Sequence, residues 1–135
     1  MASRVLKWSA RLAIGFGVFL AIAEVARNWG DWGYWPFWVV DYIAAGLLIW
    51  GGFGVTRAGR GARVRLGGAW GFTCAMFYMS FFSHMASLGR PDHGPVDPMR
   101  LTVIIGIMFA ITIAGFVMAL AGAQVGGDIA SRDSR

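Results

Sequence analysis

The chain alternates between long apolar stretches and short polar segments that are rich in arginine, glycine or proline. A helix that crosses the ~30 Å hydrocarbon layer of a bilayer needs about 20 mainly apolar residues at roughly 1.5 Å each. Four stretches reach or approach that length, at about 8–26, 35–55, 66–88 and 101–125. The pattern predicts an all-α membrane protein, a bundle of four transmembrane helices in one integral membrane domain with a short tail at 126–135.

The first predicted span is the weakest of the four. Arg11 and Arg27 bracket its apolar part, and Glu24 lies inside it. It spans fully only if Lys7 and Arg11 extend their charged ends toward the headgroups. The same stretch resembles a secretory signal cleaved after Ala23, an alternative that would leave three spans.

Lysine and arginine are distributed unequally between the two ends of the predicted helices. Nine of the twelve lie before or at the start of the first span, between the second and third spans, or after the fourth. The other three are Arg27, Arg90 and Arg100. Because the side rich in Lys and Arg faces the cytoplasm, we expect both termini there, in a bacterial-type inner membrane.

Composition excludes several classes of protein. Of the 135 residues, 57% are hydrophobic and 14% are charged, whereas soluble domains average about 25% charged residues. The basic residues form short clusters between apolar blocks, which argues against nucleic acid as a partner. The single cysteine, Cys74, supports neither a disulfide framework nor a Cys-rich metal site.

Aromatic residues crowd the predicted outer loop and the start of the second span. They are Trp29, Trp32, Tyr34, Trp35 and Trp38. An indole at the membrane surface can bury its ring and keep its N–H near water. We expect these residues to form an aromatic belt at the outer face.

Four ionisable residues within or beside the spans fall at one depth, about one helical turn inside the outer boundary. They are Glu24, Asp41, His84 and Arg100. Ionisable groups in a membrane are costly, so their positions are candidate functional sites. The residues could form a network that fixes helix register, or a proton relay. Glu24, Asp41, His84 and the loop residue His93 could instead bind a divalent metal.

Small residues at every fourth position indicate which helix faces pack together, because they let backbones approach closely. In the first span they are Ala13, Gly17 and Ala21, and in the fourth they are Gly106, Ala110, Ala114 and Gly122. We expect these faces to form the interior.

The loop between the second and third spans is strongly basic. Its arginines are Arg57, Arg60, Arg63 and Arg65. They could bind anionic lipid headgroups, or they could serve only to orient the protein.

The segment "AIAEVA" places Glu24 in the first of four short spans and so resembles the small multidrug resistance transporters. In that family a first-helix glutamate binds protons and cationic substrates in a dimer. The resemblance covers this segment and the gross architecture. The chain departs from that family by carrying Asp41 and His84 in other spans, so membership is not inferred.

The sequence contains no complete catalytic motif and no nucleotide-binding motif. We therefore expect a non-enzymatic accessory, assembly or regulatory component of a larger membrane complex. Its partners would be the lipid bilayer and either another membrane protein or a second copy of itself. The alternatives are a homo-oligomeric transporter or channel for protons or cations, and a divalent-metal-binding protein. No cofactor is predicted.

Overall fold

The computed structural model of the chain describes residues 3–29, 35–89 and 97–132, with the side chains of 28, 35–37 and 123–132 outside the description. The described residues form four helices. They are α1 (Arg4–Asn28), α2 (Trp35–Thr56), α3 (Ala62–Ser87) and α4 (Pro98–Arg132). The all-helical expectation is confirmed, and each predicted span coincides with one helix to within a few residues, except that α4 ends seven residues later than predicted.

Three of these helices are long and apolar enough to cross a membrane. The segments concerned are Arg4–Arg27, Trp38–Thr56 and Pro98–Gly122. Helix α3 is long enough at 26 residues, but it opens with Arg63 and Arg65 and carries Ser80, Ser83 and His84 near its end. Its place as a further span therefore stays a prediction.

The helices pack in a ring that follows chain order. Helix α1 packs on α2, α2 on α3, α3 on α4, and α4 returns to α1. Across the ring α1 touches α3, whereas α2 and α4 have no contact among the described residues. The contact between α1 and α3 is aromatic. The centroid of the Phe16 side-chain ring lies 6.0 Å from that of Trp70 and 5.8 Å from that of Phe77.

Glycines set the close approach of α1 and α2. A Cβ at Gly17 would lie 2.9 Å from the Ala45 carbonyl oxygen, and one at Gly52 would lie 2.7 Å from the Ala10 oxygen. Real Cβ atoms do not approach a backbone oxygen so closely, so only glycine permits this distance between the helices. The small-residue face predicted for the first span does pack inward at Ala13 and Gly17, which are both buried.

The face predicted for the fourth span is wrong at its centre. Ala110 and Ala114 are exposed, whereas Thr112, Gly115 and Ala119 are buried. The cause is the size of the side chains that α3 presents, because the indole of Trp70 lies against Gly115. The neighbouring aromatic ring, and not the repeat of small residues, determines which side of α4 faces inward.

Helix α4 continues through 126–132, which the sequence analysis assigned to a polar tail. Two adjacent glycines each cost about 1 kcal/mol relative to alanine in a helix. Extending an existing helix costs far less than nucleating one, so the long preceding segment carries the helix past Gly126 and Gly127.

Candidate functional site

The ends of α1 and α2 that face the first loop bring two carboxyl groups together. Glu24 lies in the last two turns of α1 and is 5% exposed. Asp41 lies near the start of α2 and is half-buried. The two carboxyl groups lie within hydrogen-bonding reach of each other. Two of the four residues predicted to form an intramembrane layer are therefore in direct contact.

Arg27 completes this group from the same helix as Glu24. Its Nη1 lies 3.6 Å from Oε1 of Glu24, and its side chain is 64% exposed. Arg27 is also close enough to Asp41 to interact with it electrostatically. One arginine thus faces two carboxyl groups from the more open side.

The contact between the carboxyl groups has a chemical requirement. An ionised carboxylate only accepts hydrogen bonds, so a hydrogen bond between two carboxyl groups needs a proton on one of them. A hydrogen bond between Glu24 and Asp41 would therefore hold a proton between the two helices.

His84 does not join this pair in the described residues. Its Nδ1 lies 2.8 Å from the Ser80 carbonyl oxygen, one turn earlier on α3. His84 lies on the predicted helix, but its ring bonds to the backbone of that same helix, as polar side chains near a helix end commonly do.

Arg100 also stands apart from the carboxyl pair. Its Nε lies 4.0 Å from Oδ2 of Asp97, and its side chain is 84% exposed. The contacts between α1 and α4, Ser3 with Gly122 and Ser9 with Gly115, set an antiparallel register. When this register is extended along the two helices, Arg100 lies near the level of Glu24. The ion pair that Arg100 forms, however, is with Asp97.

No group of three His, Cys, Asp or Glu side chains that could hold a metal occurs among the described residues. The predicted set of Glu24, Asp41, His84 and His93 is thus represented here by the Glu24–Asp41 pair alone. His93 lies outside the described residues. Of the members that are described, His84 contributes no third ligand to the pair.

A buried hydrogen-bonded chain connects three helices at the opposite half of the molecule. The Trp70 indole N–H donates to Ser9 Oγ at 3.0 Å, and the Ser9 hydroxyl donates to the Gly115 carbonyl at 2.8 Å. Trp70 and Ser9 are fully buried. Sequence reasoning missed this chain, although a serine within an apolar face of α1 was the available signal.

The predicted aromatic belt is described only in part. Trp29 is 84% exposed at the end of α1. Trp38 is half-buried and meets Tyr42 edge to face at 5.8 Å. Trp35 begins α2, whereas Trp32 and Tyr34 lie outside the described residues.

In comparisons with known proteins, no family model, curated protein or solved structure matches this chain.

Proposed function

We propose that this protein is a non-enzymatic component of a larger membrane complex, with all four helices crossing a bacterial-type inner membrane and both termini in the cytoplasm. Three helices have the length and apolarity to span. The distribution of Lys and Arg supports the orientation. The observation that supports a protein partner comes from α3.

The outward face of α3 has the composition of a helix-packing surface. Every third or fourth residue along it is exposed, and the series is Gly68, Phe72, Ala75, Met79, Phe82 and Ala86. Small residues interspersed among large ones allow another helix to approach closely, whereas lipid-facing surfaces do not require them. Since α3 is also the helix that is least suited to lipid by composition, contact with another protein would shield it.

Photocrosslinking tests this proposal in the native membrane. A photoreactive residue at Met79, which is 69% exposed on α3, should crosslink to a defined partner protein. The matched control is Ile107, which is 57% exposed on the strongly apolar α4 and should yield no discrete protein adduct. Mass spectrometry of the adducts identifies the partner, which can be a second copy of this chain.

The result would contradict the proposal if Met79 and Ile107 gave the same pattern, with lipid adducts alone. Stable purification in mild detergent as a monomer that brings no other subunit would contradict it as well.

The carboxyl pair supports a second candidate function, transport of protons or of cations coupled to protons. Glu24 and Asp41 are in contact within two helices that are long and apolar enough to span. Carboxyl groups inside membrane segments commonly serve proton relays. In this candidate the Glu24–Asp41 pair binds the proton, and His84 and Arg100 contact other groups.

Proteoliposomes separate the two candidates. If the pair drives transport, Glu24→Gln and Asp41→Asn should each reduce proton-coupled uptake to the level of empty vesicles, because an amide cannot release a proton at neutral pH. Glu24→Asp, which keeps a carboxyl group, is the control and should retain part of the activity. Transport that is undetectable in the wild type, or equal in all variants, would eliminate this candidate.

A further inference from the structure

The turn between α2 and α3 is a compact backbone structure at the basic end of the molecule. The Gly59 N–H donates to the Gly54 carbonyl at 2.9 Å, and the Ala58 N–H donates to the Val55 carbonyl at 3.2 Å. These two bonds, with Ala58 in the left-handed region at φ 53°, form a Schellman motif that ends α2. The arginines around it are therefore held on a defined backbone.

Two of these arginines lie on neighbouring aromatic rings of α2. The guanidinium carbon of Arg65 is 4.8 Å from the centre of the Trp50 ring, and that of Arg57 is 5.4 Å from the centre of the Phe53 ring. Trp50 and Phe53 are three residues apart, so they lie on the same side of the helix. Both cationic groups therefore lie against the last two turns of α2.

Packing fixes the position of the Arg65 guanidinium group. A Cβ at Gly54 or at Gly59 would lie 3.1 Å from Nη2 of Arg65, so the guanidinium group occupies space that these glycines leave free. Its Nε is enclosed and has no hydrogen-bond partner among the described residues. The sequence between Asp41 and Asp92 contains no acidic residue.

The first turn of α3 adds a further positive potential. Helix α3 has 26 residues, and the residue before it, Gly61, provides no side-chain cap. Its first turn carries no acidic residue. The backbone N–H groups of a helix start attract anions through their partial charge, and here Arg65 lies in that first turn.

We propose that Arg57 and Arg65, with the start of α3, form a binding site for a phosphate group. A planar guanidinium group can donate two parallel hydrogen bonds to two oxygens of one phosphate. The aromatic rings under Arg57 and Arg65 would place both guanidinium groups at the depth of the lipid headgroups. The phosphodiester of an anionic phospholipid would fit this chemistry, and so would free inorganic phosphate. This site is independent of the proposed role in a larger complex.

Lipid titration of the intact protein in mild detergent, read by native mass spectrometry, tests the site. Phosphatidylglycerol should bind at least about tenfold more tightly than phosphatidylcholine, and Arg65→Lys and Arg57→Lys should each reduce that affinity by about tenfold. Lysine keeps the charge but loses the planar pair of donors. Arg11→Lys is the matched control, because Arg11 lies on Trp8 at 5.5 Å near the same end, and it should leave the affinity unchanged.

Competition identifies the source of the phosphate group. If millimolar inorganic phosphate displaces phosphatidylglycerol, the site accepts the free ion, whereas retention of the lipid assigns the site to headgroups. Equal affinity in wild type, Arg57→Lys and Arg65→Lys would overturn the proposal, because charge alone would then explain binding. Arg57 is exposed, so its variant tests the site even if Arg65→Lys does not fold.

Discussion

Replacing Gly115 by alanine is expected to destabilise the protein by roughly 3 kcal/mol or more, at the high end of what overpacking costs. The added Cβ would overlap Cε2 and Cζ2 of Trp70 and lie 2.7 Å from Cη2. Trp70 cannot easily move away, because it is fully buried and its indole donates to Ser9. Reversible unfolding in mixed micelles, followed by circular dichroism, measures the change.

Two variants make this expectation specific to the Trp70 contact. Gly46→Ala is the control, since nothing lies within 4 Å of that position, and alanine there should stabilise the helix by about 0.5–1 kcal/mol. Trp70→Phe in the Gly115→Ala background should restore part of the lost stability, because phenylalanine lacks the outer ring of the indole. If Gly115→Ala matched Gly46→Ala, the tight packing of α3 on α4 would be contradicted.

The second large effect is expected at Gly52, where α1 and α2 are closest. A Cβ there would lie 2.6 Å from Cγ1 of Ile14 and 2.7 Å from the Ala10 carbonyl oxygen. Because the second contact is with backbone, the helices must separate, at a cost of about 2 kcal/mol. The free energy of unfolding of Gly52→Ala, measured in the same micelles, checks this value.

The Ile14→Ala background distinguishes the two contacts at Gly52. Trimming Ile14 removes only the side-chain clash, so Gly52→Ala should remain destabilising there by more than about 1 kcal/mol. Gly106→Ala provides a comparison on α4, because its nearest neighbour is the Phe81 ring at 2.9 Å, which can rotate. Full recovery of stability in the Ile14→Ala background would show that the backbones are not in contact.

The helices could be predicted from the sequence because the length of an apolar stretch can be read directly along the chain. A stretch of about 20 apolar residues specifies a helix in a membrane regardless of its neighbours. The apolar stretches located α1 and α2 to within a few residues, and located the start of α4 equally well. Helix α3 is not among the described helices that are apolar enough to span, since Arg63, Arg65 and His84 reduce its apolar length.

The sequence predicted how deep each residue of the candidate site lies along its helix, but not which way its side chain points around the helix axis. Counting residues from the helix ends placed Glu24, Asp41 and Arg100 at one level, and the first two do meet. The Arg100 side chain is directed outward. Rotation of a helix about its axis depends on packing with neighbouring helices, and the sequence of one helix does not contain that information.

The same limitation explains the missed chain from Trp70 to Gly115. Ser9 has two partners, one 61 and one 106 positions away along the chain. A pattern within α1 marks Ser9 as unusual but cannot name either partner. By contrast, Gly17 and Gly52 follow the small-residue rule directly, because close backbone approach is a property of the residue itself.

The hydrogen bonds of α1 also constrain the order in which the protein can be assembled during synthesis. Ser3 and Ser9 donate to the carbonyls of Gly122 and Gly115, which are synthesised 119 and 106 residues later. While only α1 and α2 exist, neither hydroxyl has its final partner. Synthesis of α4 supplies both carbonyls, so docking of α4 would commit the nascent protein to its final arrangement.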